Sequence, residues 1–127
     1  MFNHLQRLYS IAVRLGLVAA MLSMAHSAEV DFNRDIRPIL SDKCFTCHGP
    51  DKAARKAKLR LDTREDALAS KMLVPGNPNE SEVYLRVIEE DPNERMPPKK
   101  THKVVSAKEA ELLRKWIGEG AEYAGHW

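Results

Sequence analysis

The chain has 127 residues, enough for one small domain, and 43% of them are hydrophobic but only 6% are aromatic. Its formal net charge of +2 comes from the first 28 residues, which contain two arginines and no acid. The remainder is formally neutral, which argues against nucleic acid as a partner because nucleic-acid-binding domains are usually basic.

The first 28 residues have the pattern of a secretory signal peptide. Two arginines precede an almost uninterrupted run of apolar or small residues from Leu15 to Ala25, and small residues surround a candidate cleavage site after Ala28. The run is too short to cross a bilayer comfortably. We therefore expect residues 29–127 to be exported to the periplasm or another extracytoplasmic compartment, without a stable membrane span. A retained membrane anchor is the alternative.

The first predicted element after this segment is a helix from Asp31 to Cys44. Apolar residues recur every three or four positions between Phe32 and Leu40, and Asp31 or Asn33 can cap the start. Pro38 lacks the N–H that a helix interior needs. The helix is therefore expected either to begin only one turn before Pro38 or to be kinked there.

The helix leads into Cys44-Phe45-Thr46-Cys47-His48, which contains both cysteines of the chain. A C-x-x-C pair followed at once by histidine is the attachment signature of a c-type haem. The thiols of Cys44 and Cys47 would add to the porphyrin vinyl groups, and His48 would bind the iron. A backbone carbonyl of the following Gly49-Pro50 is expected to accept the second ring N–H of His48.

A C-x-x-C pair without haem has three other common uses: half of a zinc site, a thioredoxin-like redox pair or a local disulfide. Zinc would need two further ligands, and the remaining histidines after residue 28, His102 and His126, are not in a paired ligand spacing. A thioredoxin-like pair would follow a strand, whereas the preceding pattern is helical. The motif favours haem, and these alternatives remain open.

The segment after the motif is predicted to be mostly irregular. Thr63, with Asp66 three residues later, indicates a short helix that continues to Ala69, and residues 75–78 form a turn with the sequence Pro-Gly-Asn-Pro. Residues 51–60 form a polar connection that contains the basic residues Lys52, Arg55, Lys56, Lys58 and Arg60.

A stronger helix is predicted to begin with Asn79 as its N-cap, followed by Glu80 and Glu82 in the first turn. It ends in an acidic run before Pro92. The face that we expect to be buried consists of Val83, Tyr84, Val87 and Ile88.

Met96 lies in a loop that is stiffened by Pro97 and Pro98. Its thioether could bind the open face of a haem iron, since sulfur is soft enough to bind both iron oxidation states and Met/His ligation raises the reduction potential. Rival ligands are Met72 and His102. A methionine that only packs the loop onto the core is the structural alternative.

The last predicted helix has the clearest local signals. Ser106 and Glu109 form a capping box, and Gly118 and Gly120 end the helix. We expect it to pack against the first helix through an apolar face that consists of Leu112, Leu113, Trp116 and Ile117.

Taken together, these elements resemble the class I cytochrome c family and, more closely, the planctomycete-type cytochrome c domain. The resemblance is carried by Asp31–His48, Val74–Pro78, Met96–Pro98 and Ser106–Gly120. It implies an all-α, small cytochrome c-like fold of three to five helices around one covalently bound haem c.

The resemblance also implies roles for four residues: Cys44 and Cys47 as thioether links, His48 as the proximal iron ligand and Met96 as the distal one. Residues 29–127 would then be the cytochrome c domain. Domains of this type usually open a longer secreted protein, so the chain is expected to be either a stand-alone carrier or an N-terminal fragment.

The function expected from this ligand set is single-electron transfer rather than enzyme catalysis, because both axial positions of the iron are taken. Basic residues after the motif and after Met96 would give a positive face for an acidic redox partner, unless they are ordinary solvated lysines. The alternatives are a haem-based sensor or enzyme module and the N-terminal haem-binding module of a larger secreted protein.

Overall fold

The computed structural model describes residues 29–125, so the predicted signal peptide and the last two residues lie outside its description. The described part is helical and contains no strand, which confirms the predicted all-α fold. None of its helices is long and apolar enough to cross a membrane. The five α-helices are α1 (Arg37–Lys43), α2 (Phe45–His48), α3 (Arg64–Ala69), α4 (Glu82–Ile88) and α5 (Ala107–Gly118).

The predicted first helix is present, but its first part is a π-helical turn, Phe32–Ile36, that continues directly into α1. The side chain of Asp31 caps this turn by accepting the N–H of Arg34 at 2.7 Å. Pro38 lies at the start of α1, where its missing N–H breaks few helical bonds. The two predicted alternatives, a start one turn before Pro38 or a kink there, did not include this π-helical turn.

The short helix predicted after Thr63 is confirmed as α3, and the Thr63 side chain caps it by accepting the N–H of Asp66. The predicted start of the next helix is wrong. Asn79 lies inside a 3₁₀ turn, Pro78–Glu80, and α4 begins only after Ser81.

Ser81 explains this later start. It is completely buried, and its hydroxyl accepts the N–H of Val74 at 2.9 Å and donates to the carbonyl of Asn77 at 2.9 Å. These bonds connect the beginning of α4 to the preceding turn rather than to a cap on α4 itself. The prediction that Ile88 is buried is also wrong, because this last residue of α4 is 46% exposed.

The first and last helical segments pack together, as predicted. The ring centroids of Phe32 and Trp116 are 5.7 Å apart, and Tyr123 stacks on Phe32 at 4.5 Å. The capping box of α5 is present, with reciprocal bonds between Ser106 and Glu109. This packing joins the two ends of the described chain and leaves α2, α4 and the loop around Met96 to form the site.

Candidate functional site

The Cys-x-x-Cys-His motif folds into one helical turn. The N–H groups of Cys47 and His48 both donate to the carbonyl of Cys44, at 3.2 and 2.8 Å. Gly49 follows without room for a side chain, since a Cβ atom there would lie 2.2 Å from the carbonyl oxygen of Phe45. The two cysteines are half-buried and form no disulfide. Burial raises the pKa of the Cys44 thiol to about 12, so the free thiol is neutral.

The imidazole of His48 is half-buried, and its Nδ1 atom is buried without any hydrogen-bond partner. Burial lowers the pKa of His48, and the nearby carbonyls of Leu59 and Lys56 act in the opposite direction without bonding Nδ1. A buried ring nitrogen without a partner costs free energy and calls for an explanation.

The carbonyl predicted to accept the His48 N–H is used elsewhere. Arg55 folds back over the motif and donates from Nε to the carbonyl of Gly49 at 3.1 Å and from Nη2 to that of Pro50 at 3.0 Å. Because Nδ1 of His48 bonds neither carbonyl, that prediction is wrong. The basic connection after the motif is held against the motif by this arginine and by the bond from the Lys56 N–H to the Cys47 carbonyl at 2.8 Å.

One cavity, which we call the attachment cavity, is lined by Cys44, Cys47, His48 and Met96 together. Met72, one of the rival ligands, also lines it. Its walls are otherwise largely apolar and include Leu61, Val83, Val87, Pro97 and Pro98.

Basic groups surround this apolar space, and no carboxylate is among its lining residues. A haem has an apolar ring and anionic carboxylate side groups, so the cavity matches it in both respects. The imidazole of His48 and the two unpaired thiols, which line the same cavity, supply the remaining chemistry of such a site. The basic residues at the attachment cavity are Lys43, Lys56, Arg86 and Lys100.

The other rival ligand, His102, lies outside the attachment cavity. It lines a neighbouring groove with Ile88 and Val104, and this groove shares Met96 and Pro97 with the attachment cavity. Met72 therefore lines the same cavity as Met96 and the motif, whereas His102 lines only the neighbouring groove.

The alternatives to haem gain no support from residues 29–125. Within that range no group of three His, Cys, Asp or Glu side chains is arranged to hold a metal ion. The cysteines are unpaired, and the element before them is helical rather than a strand.

Two residues of the site escaped the sequence-based prediction. Arg55 was assigned only to a basic connection, and Arg86 was not singled out at all, although its position four residues after Glu82 on a predicted helix was a usable signal for an ion pair. Both arginines also contact main-chain carbonyls of neighbouring loops, five to eight residues away, which residue spacing does not reveal.

Comparison with known proteins gives one result. Residues 44–100 match the family model described as Planctomycete cytochrome C, a range that runs from Cys44 past Met96. No curated protein and no solved structure gives a significant match.

Proposed function

This chain carries a planctomycete-type cytochrome c domain, and we propose that it transports single electrons through one covalently bound haem. One observation carries the proposal: two unpaired thiols, an imidazole and a thioether line a single apolar cavity. Membership in a cytochrome c family independently implies a covalent haem c.

In this proposal, Cys44 and Cys47 would hold the haem through thioether bonds, and His48 and Met96 would hold its iron. The bound haem supplies the iron that gains and loses the electron. An iron held by both of these side chains would offer no position to a substrate, which favours a carrier over an enzyme. The apolar walls would limit water at the cofactor.

The distribution of charge supports an acidic redox partner. Lys56 follows the motif and Lys100 follows Met96, yet both line the attachment cavity and neither forms an ion pair or a side-chain hydrogen bond within residues 29–125. These two ammonium groups are therefore free to attract an anionic partner to the cofactor.

Ionic strength tests this steering. Oxidation of the ferrous protein by the ferricyanide anion should slow as salt rises, and the Lys56→Gln/Lys100→Gln double variant should show a weaker salt dependence. Lys108→Gln on α5 serves as the control, since Lys108 is exposed and does not line the cavity. Equal salt dependence in all three proteins would refute the steering.

We further propose that residues 1–28 are a cleaved signal peptide and that residues 29–127 act outside the cytoplasm. Cytochrome c domains are typically extracytoplasmic, which supports this location. The mass of the exported protein tests it: cleavage leaves Glu29 as the first residue. A full-length mass in the exported fraction would contradict the cleavage.

The visible absorption spectrum of the protein, exported with a c-haem maturation system, tests the ligand set. Oxidised protein should show the weak red band of a methionine–ferric iron bond, and Met96→Ala should remove that band. Met72→Ala is the matched control, because both methionines line the same cavity. It should retain the band, since Met72 is not the proposed ligand. A band that is retained in Met96→Ala but lost in Met72→Ala would make Met72 the ligand. Absence of the band from the unmodified protein would favour a haem sensor or enzyme.

A further inference from the structure

Arg86 joins α4 to the segment that carries Met96. Its main-chain carbonyl accepts the N–H of Met96 at 2.9 Å. Its guanidinium Nη1 donates to the main-chain carbonyl of Glu94 at 3.1 Å and to the Glu94 carboxylate at 2.6 Å. Among the described residues, every hydrogen bond between residues 91–98 and α4 involves Arg86.

The guanidinium is itself oriented by α4. Its Nε donates to the carboxylate of Glu82, one helical turn earlier, at 2.7 Å. A half-exposed ion pair of this kind contributes little alone. Here, however, one planar guanidinium bonds a carboxylate on the helix and two acceptors on the loop. These three bonds together fix the position of the loop relative to the helix.

The rest of the loop has no comparable connection to the helix. Its own bonds are local: the N–H groups of Glu94 and Arg95 donate to the carbonyl of Asp91 at 3.1 and 2.9 Å. These bonds shape the turn without attaching it to α4. Arg86 also lines the attachment cavity together with Met96, so the attachment lies beside the proposed ligand.

We propose that Arg86 is a positioning residue that holds the Met96 loop in place and thereby strengthens the bond between Met96 and the iron. This inference rests on the proposed function, in which Met96 is the distal ligand. A ligand on a loop binds in proportion to the fraction of time that the loop is correctly placed. Bonds from Arg86 to both sides of residue 95 raise that fraction.

Competition with free imidazole measures the effect, because imidazole must displace the distal ligand to bind the ferric iron. Arg86→Gln removes the charge-assisted bonds to Glu94 but leaves the main-chain bond to Met96. We expect imidazole to bind this variant about tenfold more tightly than the unmodified protein. Arg86→Lys keeps the charge but not the planar fork, so its imidazole affinity should lie between the two.

Arg114→Gln is the matched control. Arg114 also pairs with a glutamate on its own helix, Glu111, at 2.8 and 2.6 Å, but lines neither cavity nor groove. Its imidazole affinity should equal that of the unmodified protein. If Arg86→Gln also shows the unmodified affinity, Arg86 has no positioning role.

Two further variants keep the test decisive. If Arg86→Gln does not fold, Glu94→Gln removes the carboxylate that Arg86 binds and should still tighten imidazole binding, by less than tenfold. An unchanged affinity in Glu94→Gln would then overturn the inference. A red band that persists in Met96→Ala would instead refute Met96 as the ligand. The spectrum of this variant therefore tests the proposed function, and imidazole affinity tests the positioning role of Arg86.

Discussion

Gly49 allows the attachment motif to end directly after His48. A side chain at this position would meet the main-chain oxygen of Phe45, an atom inside the turn that carries both cysteines, and backbone cannot move aside as a flexible side chain can. The requirement is one of space, since the backbone of Gly49 is extended. The geometry of the five-residue motif therefore depends also on Gly49, which follows it.

Gly49→Ala should lower the free energy of unfolding of the haem-loaded protein by about 1–3 kcal/mol, the usual cost of forcing extra atoms into a packed site. Chemical denaturation measures this cost. Gly118→Ala is the control, because a Cβ atom at Gly118 on α5 meets nothing within 4 Å. Equal stability of the two variants would contradict the proposed clash.

Which residues lie together was predictable only in part. The spacing of Cys44, Cys47 and His48 placed them on one turn, and the prolines after Met96 indicated a stiffened loop that could carry a ligand. The ion pair of Arg86 with Glu82 was predictable from spacing, but the main-chain carbonyls that Arg55 and Arg86 reach were not, because a spacing pattern cannot locate them. The carbonyls of Gly49 and Pro50 were misassigned for the same reason.

The contact between the first helical segment and α5 is completed by Tyr123. Its ring lies 4.5 Å from that of Phe32 and 5.5 Å from that of Trp116, and its hydroxyl donates to the carbonyl of Leu61 at 2.7 Å. Burial, together with the nearby Asp62 carboxylate, raises the pKa of Tyr123 well above its usual value.

This pKa shift predicts a loss of stability at high pH. The folded protein keeps the Tyr123 proton, whereas the unfolded chain loses it at about pH 10. The contribution of Tyr123 is therefore full below about pH 10 and declines as the pH rises further, because the unfolded state then binds fewer protons.

Tyr123→Phe isolates this effect. At neutral pH the variant should be less stable by about 1–3 kcal/mol, because the carbonyl of Leu61 loses its donor. The difference from the unmodified protein should shrink as the pH rises above about 10. Denaturant titrations of the haem-loaded proteins measure both quantities, and a difference that stays constant at high pH would contradict the predicted titration.

The start of a helix was predicted correctly where its cap is formed by residues close together in the sequence. The capping box of α5 and the Thr63 cap of α3 involve residues three positions apart, so their pattern is visible in the sequence. The start of α4 depends instead on bonds from Ser81 to Val74 and Asn77 in the preceding turn. Those bonds depend on how the turn packs, which the residue pattern does not encode.

The attachment cavity is continuous with the hydrophobic core. Leu61, Val83 and Val87 belong to the core and also line the cavity. A bound haem would therefore complete the core with a large apolar body, and without it these side chains would face an unfilled space. Folding and cofactor attachment are expected to be coupled.

The chain produced without haem should therefore be unstable or unfolded. Far-ultraviolet circular dichroism should show reduced helix and a broad thermal transition, whereas the haem-loaded protein should melt cooperatively. Native-like helix with cooperative melting in the haem-free chain would contradict this coupling.

A redox titration of the haem-loaded protein, monitored by its visible spectrum with and without carbon monoxide, tests the central claim most directly. For a single-electron carrier with both axial positions filled, we expect a one-electron transition whose midpoint potential and reduced spectrum do not change with carbon monoxide. A reduced spectrum altered by carbon monoxide without denaturant, together with a raised midpoint potential, would show an open or displaceable position and would contradict the carrier function.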